Sequence, residues 1–93
     1  MASVQKEKII HEILELFEYQ LSLLTRMNKL EKMKIRKRVR DVVLLIMRMD
    51  VRHPKIFMTI MEDKLQDVFS LFHDGLGFKK KLAEEIDQKF KIE

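Results

Sequence analysis

Pro54, Gly75 and Gly77 are the only proline and glycines in a chain of 93 residues. A sheet of several strands needs a turn-forming residue at nearly every reversal, and this chain supplies two places for them. Such a sequence is expected to fold as helices joined by short links. The apolar residues agree, because they recur at spacings of three and four along most of the chain.

The first stripe comprises Ile9, Ile10, Ile13, Leu14, Phe17, Leu21, Leu24 and Met27, with Ser3 as its expected N-cap. A second stripe, Ile35, Val39, Val42, Ile46 and Met49, begins in a different phase, which places a break near Asn28. Asn28 followed three residues later by Glu31 has the form of a capping box. Without Gly or Pro at that point, one long bent helix is the competing expectation. Pro54 fits the first turn of a third helix, capped by Asp50 or His53 and running to about His73. Its stripe is Phe57, Met61, Leu65, Val68 and Phe72, with Ile56, Ile60 and Phe69 in support. Asp74, Gly75 and Gly77 are expected to stop it, the glycines by turning left-handed. Leu82, Ile86 and Phe90 mark a fourth helix from about Phe78 to Phe90. The expected fold is therefore all-α: a small antiparallel bundle of about four helices, one domain over residues 1–93, completed by dimerisation where apolar surface is left over.

Six apolar residues suggest such a surplus. Leu16, Leu23, Leu44, Leu45, Met58 and Leu71 point away from the main stripes and are expected to meet a partner. The run Val42–Met47 covers every side of a helix and is expected to be the most buried stretch.

Charge is segregated. Residues 28–52 hold nine basic against three acidic side chains, a net +6, whereas residues 1–27 and 53–93 each carry a net −1. Lys32, Lys34, Arg36, Lys37, Arg38 and Arg40 are the candidate macromolecule-binding residues, forming a basic ridge expected opposite Ile35, Val39 and Val42. A ridge of this kind suits phosphates or an acidic protein surface, and it lacks the aromatic platform on which single-stranded bases stack. Glu12, Glu15 and Glu18 form an acidic edge on the first helix that offers it an internal alternative.

No cysteine is present, which excludes disulfides and thiolate metal sites. His11 with Glu12 and Glu15 lies within one turn but lacks a second ligand-bearing segment, so solvent exposure is the expected state and no cofactor is expected. His73 reads as a helix end. Ser3, Ser22 and Ser70 lack a companion base, and no glycine-rich phosphate loop occurs. Arg48 and His53 resemble the arginine and histidine pair of the HEPN superfamily of helical ribonucleases; that resemblance implies an imidazole moving a proton beside a guanidinium holding phosphate charge. It covers six residues of 93, and Met49 stands where a polar residue often follows the arginine. Ser22–Leu30 resembles the BESS protein-interaction motif of insect regulators, with the downstream basic positions out of register by about a turn. Neither resemblance assigns the chain to a family. No signal peptide or membrane-spanning run is read in the sequence, the longest apolar run being six residues against roughly 20 for a span. An intracellular chain, cytoplasmic or nuclear, is expected. Its expected function is non-enzymatic: a regulatory or adaptor module binding another protein or itself, with DNA or RNA binding through the ridge as the alternative.

Overall fold

The computed structural model describes the backbone of residues 3–91 and the side chains of residues 6–89. Every regular element among them is helical: α1 (Ser3–Ser22), α2 (Lys29–Arg48), α3 (Pro54–Lys64), α4 (Gln66–Leu71) and α5 (Gly75–Lys91). Their order of packing puts α1 against α2 and α5, α3 against α2 and α5, and α4 against α3 and α5. The radius of gyration is 13.0 Å, close to the value of about 13 Å for a folded chain of about 100 residues.

Local chemistry fixes the ends. Asn28 closes α2 with the expected capping box: its side-chain oxygen accepts from the Glu31 amide at 2.8 Å, and the Glu31 carboxylate accepts from the Asn28 amide. The two helices are therefore separate. α1 stops at Ser22, earlier than its stripe, yet Leu24 and Met27 in the link still pack on the core. Apolar periodicity ran on through a loop because the loop, too, lies on apolar neighbours. Ser3 is already helical, so the capping position of α1 lies outside the described residues. Pro54 opens α3 as expected, with extended His53 before it making no side-chain cap. Asp50 is not that cap; it takes a left-handed conformation, φ 54°, just beyond α2.

Two expectations fail between residues 60 and 78. The third helix breaks at Leu65, giving five helices instead of about four, and the glycines do not terminate it. Neither adopts positive φ; Gly75 begins α5, and the Asp74 carboxylate caps that helix by accepting from the Gly77 amide at 3.0 Å. Gly75 is required for another reason: a Cβ there would stand 2.7 Å from the Phe69 carbonyl oxygen.

The core draws on every helix: Ile10, Ile13, Phe17 and Leu21 meet Ile35, Val39, Val43 and Ile46, then Phe57, Met58, Met61, Leu65, Val68, Phe69, Phe72, Phe78, Leu82 and Ile86. Four rings knot it together. Phe17 and Phe78 meet edge to face with centroids 4.9 Å apart, and Phe72 meets Phe78 at 5.2 Å and 88°. On α2 the buried line is Ile35, Val39, Val43 and Ile46; Val42 is half-buried and Met49 exposed. Thus the expectation for Val42–Met47 is corrected. Val43 and Ile46 are buried, while Leu45 is 42% exposed, since helical geometry turns one side of any continuous run to solvent when its neighbours lie on the other. Ile56, placed beside the third stripe, is likewise exposed.

Candidate functional site

The structure divides the six candidate basic residues into two groups. Arg36 and Arg38 stand on opposite flanks of the buried line of α2, and each is paired across the fold. The Arg36 Nε donates to both carboxylate oxygens of Glu18 on α1, one at 2.9 Å. Arg38 reaches the other way: its two terminal nitrogens donate to the two Asp67 oxygens on α4, one at 3.0 Å, and Nη2 also donates to the Lys64 carbonyl at 3.2 Å. These hydrogen bonds raise both guanidinium pKa values above the ordinary arginine value and hold Asp67 below the usual carboxylate range. Both arginines remain exposed, and their guanidinium groups reach to opposite flanks of α2. Lys32 is half-buried, and Lys34, Lys37 and Arg40 are exposed, Lys37 within 3.2 Å of Asp41 one turn on.

The acidic edge of α1 is divided as well. Glu18 serves α2, whereas Glu12 accepts from Lys89 of α5, whose side chain is only 11% exposed. That hydrogen bond is the main cause of the lowered Glu12 pKa, against the opposing effect of burial. Glu15 lies 2.9 Å from His11 on the same exposed face. A groove of about 470 Å³ between α1 and α5 collects Glu12, Glu15, Asp74 and Glu85 around Tyr19 and Lys81.

Among the described residues, large apolar side chains remain outside the core near several helix ends. Around the α2–α3 link are Leu45, Met49 and Ile56. The others are Tyr19 and Leu23 near the end of α1, Leu30 and Met33 at the start of α2, and Leu71 and Leu76 around the α4–α5 link; Leu76 is the most exposed at 79%. Of the six residues expected to be in surplus, Leu23, Leu45 and Leu71 are exposed, Leu16 and Leu44 are half-buried against the core, and Met58 is buried within it. Met58 was misplaced because α3 is enclosed by α2, α4 and α5 and buries more than one stripe.

One of these places is concave. Leu23, Leu24, Met27 and Leu71, with Thr25, Arg26, Glu31 and His73, line a cleft of about 580 Å³ where α1 ends, α2 begins and α4 ends. Sequence reading names Leu23 and Leu71 but does not bring them together, because they stand 48 residues apart and Leu71 ends a helix whose direction depends on the break at Leu65.

No known protein family, no curated protein and no solved structure matches this chain.

The residues of the two motif resemblances are also placed. Arg48 is exposed on the last turn of α2, and His53 is exposed at the start of α3 without a capping bond. Ser22 donates to the Tyr19 carbonyl at 2.6 Å, as a helix-terminal serine does. Among the described residues, no group of three or more His, Asp or Glu side chains is placed to hold a metal ion. Among the same residues, no helix is long and apolar enough to cross a membrane.

Proposed function

We propose that this chain is a non-enzymatic protein-interaction module of a regulatory or adaptor kind, built as an antiparallel helical bundle. One observation carries the reading. Among the described residues, a core of eighteen buried apolar residues leaves no buried polar side chain, yet nine large apolar side chains stand exposed, two of which, Leu23 and Leu71, line one cleft. Exposed apolar side chains scattered singly need no explanation, whereas grouped ones mark surfaces that exchange water for a partner. The partner is another protein or a second copy of the chain.

A photo-crosslinking amino acid at Leu45 or at Leu71, introduced into the full chain and activated in an extract of the source organism, tests this. Protein adducts at one position or both are expected. Adducts made only of nucleic acid, or no adduct at either position, would overturn the reading.

A second reading, binding of DNA or RNA, draws support from Lys34, Lys37 and Arg40, which remain on the outer side of α2 after Arg36 and Arg38 are engaged. Its signature is an affinity that falls steeply with salt, since each phosphate neutralised releases counterions. A mobility shift measured across a salt series separates it from the first.

A further inference from the structure

The outward side of α2 carries more positive charge than the fold neutralises. Residues 26–41 hold eight basic side chains against Glu31 and Asp41. Glu18 and Asp67 reach in from α1 and α4 to pair with Arg36 and Arg38, and four positive charges are still left over, equal to the net charge of the whole chain. The two carboxylates of α2 itself are committed locally, Glu31 to the capping box and Asp41 to Lys37. Lys29, Lys34 and Arg40 are exposed and make no ion pair among the described residues. Apolar surface lies among them. Leu30 and Met33, 61% and 59% exposed, sit one turn apart on the side of α2 turned away from Ile35, Val39, Val43 and Ile46. Lys34 and Lys37 follow Leu30 by four and seven residues and share that side, with Lys29 and Arg40 on its flank.

We propose that this face of α2 docks on the surface of an anionic phospholipid bilayer, with Leu30 and Met33 entering the headgroup layer and Lys29, Lys34, Lys37 and Arg40 pairing with the lipid phosphates and carboxylates. The proposal goes beyond the protein-interaction reading and uses neither Leu45 nor Leu71; it assigns to lipid the cations on which the nucleic-acid reading draws. Sign and shape both support it. A cluster of about four to eight cations on a helix, set around apolar side chains, matches an anionic leaflet, whose charge is spread over a plane and whose interior accepts apolar groups. The face is the outer side of a single helix and therefore convex, so a plane reaches Leu30, Met33 and the surrounding cations together. Other occupants leave part of it unused. Phosphates of a duplex would satisfy the cations and set Leu30 and Met33 against charge. A protein groove reads a helix by apolar anchors at i, i+3, i+4 and i+7, and here the positions i+4 and i+7 from Leu30 are Lys34 and Lys37. A second copy related by two-fold symmetry would oppose like charges. Two apolar side chains hold a bilayer weakly by themselves, so attachment requires the apolar pair and the charge together.

The test uses co-sedimentation of the full chain with vesicles of phosphatidylcholine alone or of phosphatidylcholine mixed with phosphatidylserine. Binding to the phosphatidylserine vesicles is expected to be at least about tenfold tighter and to fall steeply as salt is raised. The double variants Leu30→Gln, Met33→Gln and Lys34→Glu, Arg40→Glu should each lose about tenfold. All four residues are exposed, and an unchanged circular dichroism melt certifies the fold of each variant. The chain has no tryptophan, so Met33→Trp reports the contact directly. Its emission should shift to the blue with phosphatidylserine vesicles, whereas that of Leu76→Trp, at a position 79% exposed on α5, should not. No binding, equal binding to the two kinds of vesicle, binding that either double variant leaves intact, or an equal blue shift in Leu76→Trp overturns the proposal. So does a labelled DNA duplex that the chain binds more tightly than the vesicles at the same salt and that Leu30→Gln, Met33→Gln binds unchanged, which would make nucleic acid the occupant. Protein adducts from a photo-crosslinking amino acid at Met33, in a chain that ignores vesicles, would make a protein the occupant and overturn it as well.

Discussion

Arg38 of α2 grips Asp67 of α4 with both terminal nitrogens, and the same guanidinium donates to the Lys64 carbonyl at the point where α3 gives way to α4. Helix breaks without Pro or Gly arise where a side chain enters the backbone ladder. Here the Lys64 carbonyl would otherwise accept from the amide of Val68, four residues on. The Arg38 fork takes that carbonyl, and the Val68 amide contributes instead to holding the Asp67 carboxyl in its charged form. A residue read from sequence as part of a binding ridge thus holds a bend in the opposite wall of the fold.

Removing the fork should therefore loosen one bend and leave the rest. In Arg38→Ala, amide hydrogen exchange of α4 is expected to accelerate several-fold while that of α1 stays unchanged. Arg38→Lys should behave almost like the alanine variant, because an ammonium cannot present two parallel donors. A double-mutant cycle with Asp67→Asn should show the two substitutions to be non-additive.

Burial separates two apolar residues that the sequence treats alike. Phe17→Ala removes a ring that meets Phe69, Phe72 and Phe78, and should cost about 3–5 kcal/mol. Leu45→Asp, at an exposed position, should cost less than about 1 kcal/mol. Chemical denaturation of the two variants beside the parent checks both.

Phe17 and Leu45 also show what was legible beforehand. A stripe at spacings of three and four marks the side of a helix that faces its neighbours, so Phe17, Leu21, Ile35, Val39, Ile46, Leu65, Val68 and Leu82 were placed in the core from periodicity alone. The capping chemistry of Asn28 and the position of Pro54 were equally local. Leu45, Met49, Ile56 and Met58 were not legible, because their burial depends on which neighbours flank α2 and α3, and that is a property of packing. The bend at Leu65 was invisible for the same reason: the guanidinium that meets its Lys64 carbonyl comes from Arg38, 26 residues away. Within the basic ridge the residue types were clear, but their division into paired and outward members was set by where Glu18 and Asp67 come to lie.

The helix starts offer a direct check on local chemistry. Asn28→Ala should cost about 1 kcal/mol through loss of the capping box. Gly75→Ala, which improves helix propensity on paper, should destabilise, because the new methyl would press on the Phe69 carbonyl, a backbone atom that cannot swing aside. A thermal melt of Gly75→Ala at or above the parent's would show that α5 can shift to admit it.

Acid should weaken the fold by a route with a definite sign. Glu12 is held below the usual carboxylate range first by the Lys89 hydrogen bond, and Asp67 first by that of Arg38. A carboxyl with a depressed folded-state pKa contributes in full above its unfolded value, about 4, and loses that contribution as pH falls through the lower folded value. Stability should thus be level from neutrality to about pH 5 and decline below about pH 4. The double variant Glu12→Gln, Asp67→Asn should decline less steeply over the same range, as denaturant titrations at successive pH values would reveal.

Charge reversal distinguishes the two halves of the basic ridge. Lys34, Lys37 and Arg40 project into solvent, and the single ion pair they make among the described residues, Lys37 with Asp41, is exposed on both sides. Replacing Lys34 and Arg40 by Glu and Lys37 by Gln, which sets no carboxylate against Asp41, should leave the helical melt almost unchanged, since exposed positions of this kind typically move stability by less than about 0.5 kcal/mol each. Arg36→Glu is different, for it sets a carboxylate against Glu18 in place of a guanidinium. That variant should melt lower than the parent, and Glu18→Arg in the same chain should restore much of the loss by rebuilding the pair in the opposite sense. The outward triple then becomes a clean probe of binding, because it changes field without changing fold. If the chain binds nucleic acid through this side, the parent shifts a labelled duplex at low salt and the triple variant does not. If its partners are proteins held through apolar surface, neither shifts the duplex, and the triple variant retains the crosslinked adducts of the parent at Leu45 and Leu71.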